Sequence, residues 1–218
     1  MNGATRVAVI TGGHSYDVPN FHGLFRELEG CEAYIQHMDD FASSSETGRD
    51  SYDVVLFYIM LMKGPTDEGI PWYSSKPKTA LKHLGATKQG IFVLHHAILA
   101  YPEWDAWNRI VGIENRRFGC HPAQRIRVEV TDSAHPITEG LTGWERTDET
   151  YTMAEPGGDS RVLLSVQHEK SMKVVGWVRR HGQARVFGFQ SGHDNATWVD
   201  GSFRRVLARG IAWCARRI

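Results

Sequence analysis

Five residues, Gly90-Ile91-Phe92-Val93-Leu94, run straight into two adjacent histidines, His95 and His96. A short apolar run that stops abruptly at polar side chains predicts a strand buried on both faces. Such strands belong to α/β sheets, whose ligands lie in the crevice beyond the strands' carboxyl ends. His95 and His96 therefore stand where chemistry is expected. The other strand ends are then the places to look for its partners.

Residues 6–11 predict a first strand, and Gly12-Gly13-His14 follows it. Two glycines permit a sharp turn and a close approach to the backbone. The pattern is not GxGxxG, so no nucleotide cofactor is expected. Phe21, Leu24, Phe25 and Leu28 fall at i, i+3, i+4 and i+7, which predicts a helix ending near Gly30. Residues 33–37 and 53–58 predict two more strands, and the alternation begins a doubly wound pattern. Residues 63–77 read as a rim loop that carries Trp72 and Tyr73. Pro102 suits the first turn of a helix leading to Ile110 and Val111.

The second half changes character. Residues 125–130 alternate polar with apolar, the pattern of a strand with one wet face. Residues 161–166, 173–178 and 185–189 predict an antiparallel meander, with Gly157-Gly158-Asp159 and His181-Gly182 as turns. The last strand runs through Gln190-Ser191-Gly192 into His193-Asp194. Phe203, Val206, Leu207, Gly210, Ile211 and Cys214 then mark a closing helix, capped by Asp200 or Ser202. No repeat or linker divides the chain, so residues 1–218 are expected to form one domain.

The totals narrow the function classes. Lys+Arg and Asp+Glu balance at 25 each, without the basic excess of a nucleic-acid binder. The longest apolar run, residues 54–62, is too short to span a bilayer. The start of the sequence lacks the apolar core of a signal peptide, and the three cysteines are scattered. A cytoplasmic protein is the expectation. A net charge near zero leaves homo-oligomers open.

Histidines thus end three predicted strands: His14, His95 with His96, and His193. A further element adds Glu149 and Tyr151. Two chemistries suit such a rim. Imidazoles and a carboxylate are ligands for zinc or another divalent metal. Alternatively, His95 or His193 acts as a general acid or base without metal. Trp72, Tyr73, Tyr101, Trp104 and Trp198 fall in predicted loops, and flat rings with polar tips suit the apolar faces and hydroxyl edges of a sugar.

The chain resembles the ThuA-like, trehalose-utilisation family of the class I glutamine amidotransferase-like superfamily. The resemblance rests on Thr11-Gly12-Gly13-His14, Leu94-His95-His96-Ala97, His135-Pro136-Ile137-Thr138, Asp148-Glu149-Thr150-Tyr151 and Gly192-His193-Asp194-Asn195-Ala196-Thr197-Trp198. It implies a flavodoxin-like three-layer α/β sandwich with a mostly parallel central sheet and an antiparallel extension. It places His95 where an amidotransferase carries its nucleophilic cysteine, so ammonia release from glutamine is not expected. It implies instead carbohydrate metabolism, an enzyme or a binding module for a sugar or keto-sugar derivative. His95, His193 and Glu149 would be catalytic. Gly13, His14, His96, Tyr151, Asp194 and Trp198 would bind substrate, and His14, His95 and Glu149 would hold any metal.

Overall fold

The computed structural model describes residues 3–68 and 74–218. Trp72 and Tyr73 lie outside the described residues. The first half alternates strands with short helices: β1 (Thr5–Gly12), α1 (Val18–Arg26), β2 (Cys31–His37), α2 (Met38–Ser43), α3 (Glu46–Asp50), β3 (Val54–Ile59), α4 (Pro77–His83) and β4 (Gly90–Leu94). A single 3-10 turn, His95–Leu99, leads to α5 (Asp105–Val111). The helix begins at Asp105, so Pro102 lies ahead of its first turn rather than in it. Then come β5 (Gly119–Val130), β6 (Trp144–Thr152), β7 (Arg161–Val166), β8 (Val174–His181), β9 (Ala184–Phe189), α6 (Asn195–Trp198) and α7 (Gly201–Cys214). Asp200 caps α7, accepting from the Phe203 N–H at 2.7 Å.

All nine strands form one sheet in the order β2-β1-β3-β4-β9-β8-β7-β5-β6. The pairings from β2 through β9 are parallel, and those from β9 through β6 are antiparallel. The sheet is therefore mixed, four pairings of each kind, rather than mostly parallel. The reason is that β5 is longer than the wet-faced segment suggests and β6 joins it as an edge strand. That hairpin extends the antiparallel part by two strands.

Strand alternation sorts the core into two layers. Val7, Val9, Val54, Leu56, Phe92 and Leu94 face α1 and α7, meeting Phe21, Phe25, Phe203 and Leu207. Ala8, Ile10, Val55, Phe57, Ile91 and Val93 face the other way, onto Phe41 of α2, Leu81 of α4 and Trp107 of α5. The parallel strands β1, β3, β4 and β9 all point the same way, so their carboxyl ends share one rim. No described helix is long and apolar enough to cross a membrane.

Candidate active site

The rim is built around a backbone turn. His95 follows β4 directly and has φ 53°, the left-handed region that non-glycine residues rarely occupy. The chain thus reverses from strand to helical turn at one residue and aims its side chain along the sheet's upper edge. The ring is fully buried. Its Nδ1 lies 2.6 Å from the Gln190 carbonyl and donates to it, which turns Nε2 toward the site.

Three electron-rich atoms converge there. His95 Nε2 lies 3.2 Å from His193 Nδ1 and 3.6 Å from Glu149 Oε1, and His193 Nδ1 lies 3.5 Å from that oxygen. The Tyr151 hydroxyl is 2.8 Å from His95 Nε2 and donates to Glu149 Oε1 at 2.7 Å. Burial by itself would raise the Glu149 pKa. Hydrogen bonds from His95, Cys120 and Tyr151 overcome it and hold the carboxyl well below the usual range. Burial and the neighbouring His95 lower the pKa of His193.

His193 sits on the loop after β9, and that loop is clamped from beneath. Asp148 accepts the backbone N–H of Gly192 at 3.0 Å and of His193 at 3.1 Å. Tyr58 donates its hydroxyl to the Gly192 and His193 carbonyls at 3.1 and 3.0 Å, and Trp198 Nε1 donates to Gly192 O at 2.8 Å. Arg146 faces Asp148 at 3.3 Å, with side chains 3% and 0% exposed.

The structure brings His95, His193, Glu149 and Tyr151 into contact. The His14 ring lies beside them, 4.6 Å from the His96 ring and 5.7 Å from that of His193. The ligand atoms within mutual reach come from His95, Glu149 and His193; His14 is not one of the three. Gly13 (φ 78°) forms the turn that delivers His14, and a Cβ there would meet Met60 O at 2.5 Å. Asp194 is occupied as the cap of α6, accepting from Ala196 N–H at 2.9 Å. Among the described residues, Trp198 and Tyr101 are each 2% exposed and Trp104 is half-buried, so these three rings do not form an open stacking platform.

Asp148, Arg146, Tyr58, Gln190 and Cys120 carry the site as well; the sequence assigned none of them a role there, and Asp148 stood out only as part of the Asp148-Glu149-Thr150-Tyr151 motif. Polar residues at alternate positions, Arg146, Asp148 and Thr150, on the buried face of a strand were the available signal for the first two. Nothing local marks Cys120, which reaches Glu149 only because β5 pairs Cys120 with Tyr151.

His96 is fully buried. Its Nδ1 donates to Ile59 O at 3.0 Å, while Nε2 has no partner among the described residues. Burial, with His95 and His14 nearby, drives its pKa well below the ordinary histidine value. As pH falls below about 6.5, the unfolded chain binds a proton that folded His96 excludes. This residue is therefore expected to remove stability on acidification, by at most about 1.4 kcal/mol per pH unit. Melting temperatures across neutral to mildly acid pH check this, since His96→Phe should flatten the slope. A wild-type profile flat down to the carboxylate range would contradict it.

These features have counterparts in known proteins. The family model described as trehalose utilisation, ThuA, matches residues 6–214. The chain belongs to the ThuA family. No protein of curated function matches it in sequence. A ThuA-like protein from Parabacteroides merdae has the same fold at TM-score 0.74 and 18% identity, covering 97% of this chain and 90% of that one. One from Bacteroides uniformis superposes at TM-score 0.73 and 17% identity, covering 98% and 93%. A protein from Thermoplasma acidophilum described as a GMP synthase component gives TM-score 0.60 and 15% identity over 100% and 97%. This ThuA chain thus shares the amidotransferase-like fold. His95 occupies its strand-to-helix elbow.

Proposed function

We propose that this ThuA-family chain is an enzyme acting on a sugar or keto-sugar derivative, with His95, His193 and Glu149 at the reacting atoms and a divalent metal held between them. The observation that carries it is the triplet of ligand atoms, 3.2 to 3.6 Å apart. A tetrahedral ion with bonds of about 2.0–2.1 Å needs ligand atoms roughly 3.3–3.5 Å apart. Two histidines and one carboxylate also match a facial triad that leaves positions open.

The donor chemistry agrees. His95 turns Nε2 inward, with Nδ1 tied to a carbonyl, as metal-binding histidines do. The Glu149 carboxylate accepts from the Tyr151 hydroxyl at 2.7 Å, the kind of outer hydrogen bond that fixes a ligating carboxylate. Tyr151 orients that carboxylate. A bound divalent ion would polarise a substrate oxygen or acidify a water. His193 is the most exposed of the three at 27% and is best placed to reach substrate. The elbow residue has no thiol, so the chain is not a glutamine amidotransferase. Sugar derivatives are the substrate class because the family is one of trehalose utilisation.

Elemental analysis of untagged protein purified without chelator tests the metal. About one divalent ion per chain is expected, lost in Glu149→Ala and His193→Ala and kept in His14→Ala. Turnover of a panel of trehalose and keto-sugar derivatives should vanish in His95→Ala and His193→Ala. Unchanged turnover in both would overturn the assignment. Ligand-induced thermal stabilisation without product would instead favour a non-catalytic sugar-binding module.

A further inference from the structure

β8 and β9 form a hairpin whose turn lies at the end of the sheet opposite the histidine rim. β9 ends at the rim with Phe189, so Arg185, near its start, sits about 13 Å below it along the strand. Arg180 of β8 stands directly opposite Arg185 in the antiparallel register. Like charges in that position destabilise a strand pair. Arg216, just after α7, adds a third charge: burial, then the Arg216 and Arg180 guanidiniums, lower the pKa of Arg185. Something other than strand pairing has to favour this arrangement.

The neighbouring arginines are already neutralised. Arg161 pairs with Asp132 at 2.5 Å, and Arg179 pairs with Asp159. Among the described residues, no aspartate or glutamate pairs with Arg180, Arg185 or Arg216. Arg185 donates Nη1 to Trp213 O at 2.9 Å and to Ile218 O at 3.1 Å, and Arg216 donates to Gln183 O at 2.7 Å. Even a free carboxylate at Ile218 would leave most of the charge on these three guanidiniums unbalanced. Arg180 is exposed and makes no hydrogen bond within the described residues.

A cavity of about 550 Å³ opens beside this pair. Arg180 and Arg185 line it together with an apolar wall of Val178, Pro136 and Trp213. The Arg185 guanidinium lies over the Trp213 ring, with Cζ 4.8 Å from its centroid, which fixes the direction of the fork. Its hydrogen bonds use Nη1 alone, so Nε and Nη2 keep their donors for another partner. Guanidinium forks match the oxygens of phosphate in pairs of parallel bonds. The volume falls within the range of roughly 300–1,000 Å³ that small-molecule pockets occupy, more than a bare ion needs.

We infer that this cavity binds a phosphorylated small molecule, with the phosphate group between Arg180 and Arg185 and the organic part against Trp213 and Pro136. The site is separate from the histidine–carboxylate cluster and uses none of its residues. Calorimetric titration of the full chain with AMP, inorganic phosphate and adenosine, at constant ionic strength, tests it. AMP should bind saturably, phosphate more weakly, and adenosine not at all. Arg180→Gln should raise the Kd for AMP about tenfold or more, the effect of one lost charged hydrogen bond. It should not lower the melting temperature, because Arg180 has no bond to lose and the like-charge pair is relieved. Arg125→Gln, at an exposed arginine paired with Glu145 on the β5–β6 hairpin, should bind AMP as the wild type does. Unchanged AMP binding in Arg180→Gln would overturn the site, and so would equal weakening in Arg125→Gln, which would mean general charge attraction. Failure of both AMP and phosphate to bind at millimolar concentration would overturn it too. Phosphate binding as tightly as AMP would refute the organic part and leave a site for the free ion.

Discussion

Replacing Asp148 with alanine is expected to lower the unfolding free energy by about 3–5 kcal/mol, the cost of leaving one member of a buried ion pair alone. The Arg146 guanidinium would remain almost fully buried, and its nitrogens make no hydrogen bond of their own within the described residues. The amides of Gly192 and His193 would lose their acceptor at the same time. Urea unfolding of the single variant and of Arg146→Met/Asp148→Leu separates the two parts. An apolar pair removes the stranded charge, so the double variant should be more stable than Asp148→Ala. It should not recover fully, because the two amides stay unsatisfied. A loss below about 1 kcal/mol in Asp148→Ala would mean that water replaces the carboxylate without difficulty.

Arg116→Met is the second large effect. Arg116 is 2% exposed, and no carboxylate pairs with it among the described residues. Burial pulls its pKa down to about 10, so it is charged at neutral pH. It donates Nε to Asn108 Oδ1 at 2.7 Å, Nη1 to the carbonyls of Ile98 (3.2 Å) and Ala100, and Nη2 to Tyr101 O at 2.5 Å. These carbonyls end the turn that begins at His95. Methionine would leave several buried acceptors unmade at about 1–3 kcal/mol each, so a total loss of at least about 3 kcal/mol is expected. Lysine should rescue little, since an ammonium cannot span the directions that the planar fork serves. Amide hydrogen exchange over residues 96–101 should rise in both variants. Full protection in Arg116→Lys would show that a point charge is enough.

The elements legible in the sequence were those whose side chains all tell one story. β4 is apolar throughout because both its faces are covered, and α1 and α7 show their buried stripes directly. The convergence of His14, His95 and His193 could be inferred because each follows a parallel strand, and parallel strands end on one rim. What stayed hidden depends on pairing across long separations. Nothing around Cys120 announces that β5 will place it opposite Tyr151, and Arg146 is polar at a position that faces the core. Trp198 looked like a loop ring because α6 is a single turn; it is in fact the floor under Gly192. The balance of parallel and antiparallel pairing was missed because β6 consists largely of charged and hydroxyl residues, which do not resemble a strand by composition.

β6 serves the site from both of its faces. Arg146, Asp148 and Thr150 point to one side, where Asp148 holds the His193 loop; Glu149 and Tyr151 point the other way and meet His95. Since successive residues alternate sides, inserting or deleting a single residue just upstream of Glu149 would exchange every assignment at once. The count of residues between the hairpin turn and the carboxylate is therefore as strict a requirement as the carboxylate itself, and length variation in this family should fall in the turn and not in the strand.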